Sequence, residues 1–355
     1  MIDYNKSVGT TTAADEQVNW NGKIQVIRQE ENEPSEFIKD LESEATEEKD
    51  YTKSLNNAEY ASDFNSVYYD RDTVYQINQF TLGDELNKYQ YYNQEIDPQH
   101  TLDIEDGIRK QMEECDTSQG FQIFSDLDDG FSGLMSRMVT DLAEEYSKSI
   151  VVYGITQNKT NSLKQKTLSD MNKILVLDNL LEQATFIPIH LPSVNHWDIS
   201  SDFSFLYQQS ALIGLGIESL NLPTRFNDSR RIDLNYYSSI GKVLGLEFNK
   251  WDMTLDKEGT YEEYMLYRGK ESKPKSILFD PFTEFKGFPK FEIKEIQVGL
   301  GSCLDYARRI NDFNHLYFDP ALRRDFEQGA HGIDKSEWID MHERLGEFIG
   351  DDFEE

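Results

Sequence analysis

The chain has 355 residues and a formal net charge of −31, with 66 acidic residues against 35 basic ones. This charge argues against unassisted nucleic-acid binding, because phosphate contacts need clustered Lys and Arg. The hydrophobic content of 38% is enough for a substantial core, and two cysteines cannot form a disulfide framework. The sequence contains no run of eighteen apolar residues, so it predicts no membrane-spanning helix. Residues 1–10 lack the apolar core of a signal peptide.

The first hundred residues are poor in apolar patterns. Lys23–Ile27 predicts a short strand, and the acidic run 30–50 is typical of a solvated linker or an exposed helix rather than an interaction tail. Eight tyrosines fall between Tyr51 and Tyr92, among acids. Stacking on nucleic-acid bases would require basic neighbours, so we expect these rings to cover a neighbouring domain. Thr101–Glu114 predicts a helix.

The stretch 113–155 has the length and pattern of one βαβ unit. Gly120–Ser125 predicts a strand, and the turn that follows it contains three acids and two glycines. From Leu134 the apolar residues recur at helical spacing. Ile150–Ile155 is an unbroken β-branched and aromatic run, as expected of a strand buried in a parallel sheet.

The same alternation continues after this unit. Lys159–Lys166 predicts a polar loop, Thr167–Gln183 a helix, and Ala184–His190 a buried strand broken at Pro188. Ser201–Leu222 predicts a helix that is apolar nearly all round and therefore interior, ended by Pro223. Strands that alternate with helices in this way favour a doubly wound parallel sheet of the α/β class.

The last third of the chain is less regular. Asp233–Leu244 predicts a helix, Leu246–Trp251 a short strand, and Phe291–Val298 a longer one, whereas residues 252–290 show little pattern. Three further helices are predicted, over Cys303–Phe313, after Pro320, and over Lys335–Ile349.

Three glycine-rich segments are candidates for phosphate binding. Asp128–Gly133 (DDGFSG) lies between a strand and a helix, but its acids would repel a phosphate unless Mg²⁺ offset them. We therefore favour a structural or switch-like turn. Gly214–Gly216 lies inside a helix and is expected to allow close helix packing. Gly299–Ser302 lies between a predicted strand and helix, but lacks the Lys of a phosphate-binding loop.

Other catalytic or metal-binding patterns are weak. The nearest approach to a metal site is His190, His196 and Asp198, which we interpret as ordinary loop residues, so we expect no metal site. No serine lies in a nucleophile elbow. Cys115 precedes a predicted buried strand, and packing is its expected role.

The segment CDTSQGFQIFSDLDDGFSGL, residues 115–134, resembles the tubulin superfamily, in which such a strand precedes the glycine-rich phosphate loop. Within it, the chain most resembles the Misato family. Trp20–Lys23, Tyr60–Phe64 and Ser210–Arg225 are similar to further motifs of that family. The resemblance implies a tubulin-like doubly wound sheet with a reduced intermediate domain and C-terminal helices. The implied parts are 1–50 (an N-terminal remnant and acidic linker), 51–226 (a GTPase-like domain including core helix 201–222), 227–300 (intermediate) and 301–355 (C-terminal helices and acidic tail).

Several positions depart from the family pattern. Where tubulins have a glycine-rich phosphate loop, Asp128–Leu134 keeps one glycine in register. The segment resembling the catalytic loop retains only Asp233, and Ser210 stands where tubulins have an Asn that contacts the base. The first strand and helix of the fold are expected before residue 1, so we interpret the N-terminal portion as missing.

The resemblance implies a role in mitochondrial distribution, morphology and DNA inheritance, at the mitochondrial surface and in the cytoplasm. Because the expected phosphate cradle is acidic, we predict a non-enzymatic protein that acts through protein partners at mitochondria or the cytoskeleton. The alternatives are a weak or partner-activated GTPase, with Gly130, Ser132 and Gly133 contacting phosphate and Asp233 orienting water, and a cytoskeletal subunit that assembles with tubulin. We expect no cofactor in the first case and GTP in the second. Folding by the cytosolic chaperonin is expected by analogy with tubulin.

Overall fold

The fold was analysed in a computed structural model, in which the chain forms two compact units, Met1–Asn78 with Pro98–Asp116, and Gln79–Asp97 with Thr117–Glu355. Each unit is described by itself. The structure describes residues 15–18, 24–27, 33–42, 57, 61–64, 69, 73–75, 77, 89, 93, 96–156, 163–190, 206–226, 229, 231–249, 264–269, 278–281, 285–287, 291–293, 296–302 and 335–351.

The described part of the first unit contains an antiparallel strand pair, two α-helices and a 3₁₀ turn at Ala61–Phe64. Strands β1 (Asp15–Val18) and β2 (Ile24–Ile27) pair antiparallel, and they are followed by helices α1 (Glu36–Glu42) and α2 (Pro98–Glu114). The acidic run predicted to be exposed thus contains a helix with a buried side. Phe37 is buried and meets the ring of Phe64 edge-on at 5.4 Å.

A parallel sheet forms the core of the second unit. Its strands are β3 (Gly120–Asp126), β4 (Ser149–Thr156) and β5 (Thr185–His190), in that order. The predicted break at Pro188 is wrong, since β5 runs through it. Phe186 N–H donates to the Lys242 carbonyl, at the edge away from β4, and Pro188 faces the same edge two residues later. The missing proline N–H therefore costs no hydrogen bond to β4.

Helices cover both faces of this sheet. They are α3 (Phe131–Glu145), α4 (Leu163–Gln183) and α5 (Leu206–Asn221), the last continued by a 3₁₀ turn at Leu222–Arg225. On one face, Tyr153 of β4 is fully buried and its hydroxyl donates to Asn221 Oδ1 of α5 at 2.9 Å. On the other face, the ring of Phe121 lies 5.4 Å from that of Tyr146, which follows α3. The predicted doubly wound α/β arrangement is confirmed.

Helices α2, α3 and α4 begin three or four residues earlier than predicted, and burial differs from the expected pattern. The segment Leu163–Lys166 is helical rather than a loop, because Leu, Lys and Gln are good helix formers despite their polarity. The most enclosed helix is α4, in which residues 167–177 are all buried. On α5, by contrast, Ser210, Gly214 and Glu218 are exposed along one side, so the prediction of an all-round buried helix there is wrong.

A second sheet of mixed direction follows. Its strands, in spatial order, are β6 (Leu244–Asn249), β11 (Ile296–Ser302), β7 (Tyr264–Gly269) and β8 (Leu278–Pro281). Two short strands, β9 (Phe285–Gly287) and β10 (Phe291–Ile293), pair with each other. The strand predicted over Phe291–Val298 is therefore two strands. Because β11 hydrogen-bonds to a neighbour on each side, Gly299–Ser302 is extended strand and does not form the turn that a phosphate-binding loop needs.

Two more helices complete the described part. Helix α6 spans only Asn235–Ile240, because β6 already begins at Leu244. Helix α7 spans Lys335–Asp351, close to its prediction, and its Arg344 guanidinium donates to both carboxylate oxygens of Asp178 on α4, at 2.9 and 2.7 Å. The helices predicted over Cys303–Phe313 and after Pro320 lie outside the described residues. None of the described helices has the length and apolar character needed to cross a membrane.

Candidate functional site at the acidic turn

The segment that the sequence singled out connects β3 to α3. We call Asp126–Gly130 the acidic turn. The Asp128 N–H donates to Asp126 Oδ1 at 2.6 Å, and the Leu127 N–H donates to the Ile155 carbonyl on β4 at 2.8 Å. The Leu127 side chain is fully buried. The turn is therefore held tightly against the end of the sheet.

The first amides of α3 donate to acceptors within the turn itself. The Phe131 N–H donates to Asp129 Oδ1 at 2.9 Å, and the Ser132 N–H and hydroxyl both donate to the Asp129 carbonyl, at 3.3 and 2.7 Å. The Gly133 N–H donates to the Gly130 carbonyl at 2.9 Å. A helix N-terminus usually leaves such amides open to an anion. Here Asp129 satisfies the groups that a phosphate would otherwise contact.

Asp128 lies between the sheet and α4. Its Oδ1 accepts hydrogen bonds from the Thr156 hydroxyl at 2.7 Å and the Ser169 hydroxyl at 2.6 Å, and it lies 3.1 Å from Lys173 Nζ. We call Asp128, Thr156, Ser169 and Lys173 the Asp128 cluster. Because Thr156 ends β4 and the other two partners belong to α4, the cluster ties the turn to both elements.

Lys173 supplies the positive charge of this cluster. Its side chain is 5% exposed, and its ammonium also lies 3.6 Å from Asp170 Oδ1, one turn earlier on α4. Burial raises the pKa of Asp170, and the nearby charge of Lys173 opposes that rise. A buried charge is stable only when it is paired, so the carboxylates and the ammonium depend on each other.

Gly133 allows a second segment to approach the start of α3. A Cβ at this position would lie 1.9 Å from the Tyr89 carbonyl oxygen. Asn93 donates from its side-chain amide to the Gly133 carbonyl at 3.3 Å, and the Tyr89 N–H donates to Asn172 Oδ1 at 3.1 Å. The need for glycine here comes from backbone packing, and Gly133 itself is buried.

The acidic turn carries more negative charge than its surroundings offset. Burial, together with the neighbouring Asp126 carboxylate, raises the pKa of Asp129 to about 6. Burial also raises the pKa of Asp126; the hydrogen bond from the Asp128 N–H opposes that rise, the Asp128 carboxylate adds to it, and Lys173 opposes it. These shifts indicate that a further negative charge at this position is unfavourable, whereas a cation would be stabilised.

The structure brings some of the predicted site residues together and leaves others apart. Gly130, Ser132 and Gly133 lie side by side at the start of α3, and all three are buried. The Asp233 side chain is 64% exposed, with Arg231 Nε 3.9 Å away, and its carbonyl accepts from the Tyr236 N–H. No contact joins Asp233 to the acidic turn within the described part of the chain.

The remaining candidates are Cys115, Gly214 and the set His190, His196 and Asp198. Cys115 is exposed in the loop after α2, so its predicted packing role is wrong; the loop is polar and offers no apolar surroundings. At Gly214 a Cβ would meet no atom within 4 Å, so the predicted close helix packing is wrong there. His196 and Asp198 lie outside the described residues. The described residues contain no group of three or more His, Cys, Asp or Glu that could hold a metal ion.

Sequence reasoning missed the partners of Asp128. A signal existed, because five polar residues interrupt the apolar pattern of the helix that became α4. They are Thr167, Ser169, Asp170, Asn172 and Lys173, and all are buried. Polar residues on every side of an otherwise apolar helix indicate a buried polar network.

Comparisons with known proteins agree with this fold. The family model of a tubulin domain matches residues 52–226. Protein dml1 of Aspergillus clavatus is 27% identical over 219 residues, covering 58% of this chain and 42% of that protein. Protein dml-1 of Neurospora crassa is 24% identical over 277 residues, covering 70% and 50%. Protein misato homolog 1 of Bos taurus is 25% identical over 185 residues, covering 47% and 32%.

The chain thus spans about half the length of the curated fungal relatives it matches. The matched region contains the parallel sheet, the acidic turn and α5, the elements on which the sequence resemblance rests. Residues 52–226 thus match the tubulin-domain family, and the relatives to which the chain is similar are fungal dml1 proteins and misato homolog 1.

Proposed function

We propose that this protein is a tubulin-fold protein that does not hydrolyse GTP and that acts through protein contacts in the distribution, morphology and DNA inheritance of mitochondria. The mitochondrial part of the proposal comes from the resemblance to the Misato family. The non-enzymatic part comes from the acidic turn.

One observation carries the non-enzymatic part. The α3 amides that would contact a phosphate donate instead to Asp129 and Gly130. Electrostatics point the same way, because Asp126, Asp128 and Asp129 lie where a triphosphate would add negative charge. Binding it would require breaking the Asp129 contacts and bringing further negative charge beside three carboxylates. The residues at this position do not fit the phosphates of a guanine nucleotide.

The proposed place of action is the outer surface of mitochondria and the cytoplasm. Contacts there are expected with proteins of the mitochondrial surface or cytoskeleton, and the net charge of −31 favours partners with basic surfaces. The cytosolic chaperonin is a further proposed partner, required for folding, since a parallel sheet with long-range strand pairing forms slowly.

Depletion and rescue test the mitochondrial part. Cells depleted of the protein are expected to show altered mitochondrial networks and reduced mitochondrial DNA content, both restored by the unmodified gene. Asp233→Ala should restore both equally well, because catalysis is not required. Unchanged networks and unchanged DNA content after depletion would overturn the mitochondrial role. Rescue that fails with stable, folded Asp233→Ala would overturn the non-enzymatic role alone.

A further inference from the structure

A large cavity lies on the face of β3 opposite the Asp128 cluster, between β3 and α5. We call it the β3–α5 cavity; its volume is about 690 Å³, within the range of roughly 300–1,000 Å³ found for small-molecule sites. Its walls are mostly apolar and include Phe124 and Ile155 from the sheet and Ile213 and Ile217 from α5. All of these elements belong to the second compact unit.

The aromatic wall of the cavity is preformed. The Phe124 ring stacks on Tyr153 with ring centroids 4.7 Å apart and an angle of 9° between the ring planes. Tyr153 is itself fixed by its hydrogen bond to Asn221. Even so, Phe124 remains 52% exposed, which is unusual for a large apolar side chain in the middle of a parallel strand. A fixed, open aromatic ring is a platform for a planar molecule.

Polar groups gather at one end of the cavity. Asp126 and Ser210 line it there, whereas Gln122 lies on the other side of Phe124, roughly 13 Å before Asp126 along β3. Asp126 uses Oδ1 to accept from the Asp128 N–H, and in the part of the chain that the structure describes its Oδ2 has no hydrogen-bond partner. The basic residue in the lining, Arg225, is held at the other end by Glu218. The lining therefore offers an uncompensated carboxylate, and it favours a cation over an anion.

Gly214 supports the view that the cavity is kept open for a ligand. It lies in the middle of α5, where glycine destabilises a helix by roughly 0.5–1 kcal/mol relative to Ala. Close packing does not explain it, since a Cβ there would meet nothing within 4 Å. Gly214 lines the cavity, and any side chain at this position would reduce its volume.

We infer that the β3–α5 cavity binds a small planar aromatic molecule that carries a protonated amine. The ring stacks on Phe124 between Ile213 and Ile217, and the ammonium donates to Asp126, with Ser210 as a further polar contact. Phe124 contacts the ring of the ligand and Asp126 contacts its ammonium. A phosphate compound cannot make the Asp126 contact, and neither can a purely apolar molecule.

Three indole compounds with nearly the same body test this proposal by isothermal titration calorimetry. Tryptamine is a cation, tryptophol is neutral, and indole-3-propionate is an anion. We expect tryptamine to bind about tenfold more tightly than tryptophol, as is typical of a desolvated charge contact, and indole-3-propionate to bind most weakly. Equal affinities for the three compounds, or no binding of tryptamine at millimolar concentration, would overturn the inference.

Four variants, one of them a control, locate the site. Asp126→Asn keeps the oxygen that accepts from the Asp128 N–H, and should reduce the preference for tryptamine over tryptophol to less than about twofold. Gly214→Leu should abolish binding of both compounds, whereas Gly214→Ala should preserve most of it. Glu144→Gln, at an exposed position on α3, is the matched charge control and should change nothing. A tryptamine preference that survives in Asp126→Asn, or binding that survives in a folded Gly214→Leu protein, would place the ligand elsewhere and contradict the proposal.

Discussion

The two sides of β3 differ in how completely their polar and apolar groups are used. On the α4 side, Asp128 is bound by Thr156, Ser169 and Lys173, and residues 167–177 of α4 are buried. On the α5 side, Phe124 and Gly214 border open space. The same strand thus separates a closed polar cluster from an open cavity. This difference supports our proposals that the segment resembling a phosphate loop is a structural turn and that a ligand binds on the other side of the strand.

The largest effect is expected from removing the cation of the closed side. Lys173→Met would leave Asp128 and Asp170 buried without their ammonium partner. We expect the free energy of unfolding to fall by about 3–5 kcal/mol, as is typical when one partner of a buried ion pair is removed. Chemical denaturation in urea measures this.

The matched control for that prediction is Lys148→Met, because Lys148 is exposed and should change stability little. In the double variant Lys173→Met with Asp128→Asn, one of the two stranded charges is gone, and part of the lost stability should return. If Lys173→Met is no less stable than Lys148→Met, the Asp128 cluster does not hold the turn.

A pair of glycine substitutions compares the two sides directly. Gly133→Ala places a Cβ 1.9 Å from the Tyr89 carbonyl oxygen, and should destabilise the protein by about 1–3 kcal/mol because the backbone must shift. Gly214→Ala meets no atom within 4 Å and should stabilise it by roughly 0.5–1 kcal/mol through helix propensity. Thermal unfolding of both variants is the measurement. If both substitutions stabilise the protein, or both destabilise it, the α4 side of β3 is not more tightly packed than the α5 side.

A smaller, pH-dependent effect is expected at Asp129. Its folded-state pKa of about 6 lies above the unfolded value near 4, so the folded protein binds the extra proton and loses stability as pH rises between these values. Asp129→Asn keeps the acceptor for the Phe131 N–H and removes this loss. We expect the variant to be more stable by on the order of 1–2 kcal/mol above pH 7, after allowing for partial solvent exposure.

The advantage of Asp129→Asn should shrink as the pH falls below 6 and vanish below pH 4, because the carboxyl is then protonated in both states. Unfolding curves of both proteins at several pH values measure this difference in stability. A variant that is less stable than the parent protein at pH 7.5 would mean that the Asp129 charge itself is needed to close the turn.

The sequence predicted the sheet well because its strands and helices carry strong periodic patterns. The run Ile150–Ile155 and the stripe that begins at Leu134 lie where they were predicted, within a few residues. The prediction was wrong for two segments whose composition is typical of loops or turns. The polar Leu163–Lys166 is helical, and Gly299–Ser302 is extended because its hydrogen bonds come from neighbouring strands. Such pairing depends on distant residues, and no local pattern reports it.

The site was predictable in part. The acids of the turn indicated that a phosphate would be disfavoured there. The sequence did not show that Asp128 and Asp129 have different hydrogen-bond partners. That Asp129 satisfies the α3 amides while Asp128 is bound to α4 depends on side-chain directions. Lys173 lies 45 positions after Asp128, so only the folded chain brings the ammonium to the carboxylate.

The central claim is that the acidic turn is closed by its own side chains and has no room for a nucleotide phosphate. Its most direct test is to extract nucleotide from the purified, folded protein and to titrate it with GTP and Mg²⁺ by calorimetry. We expect less than about 0.05 guanine nucleotide per chain and no heat of binding at millimolar GTP, a concentration at which even a weak site would be occupied. Retained guanine nucleotide near one per chain, or binding in the micromolar range, would contradict it.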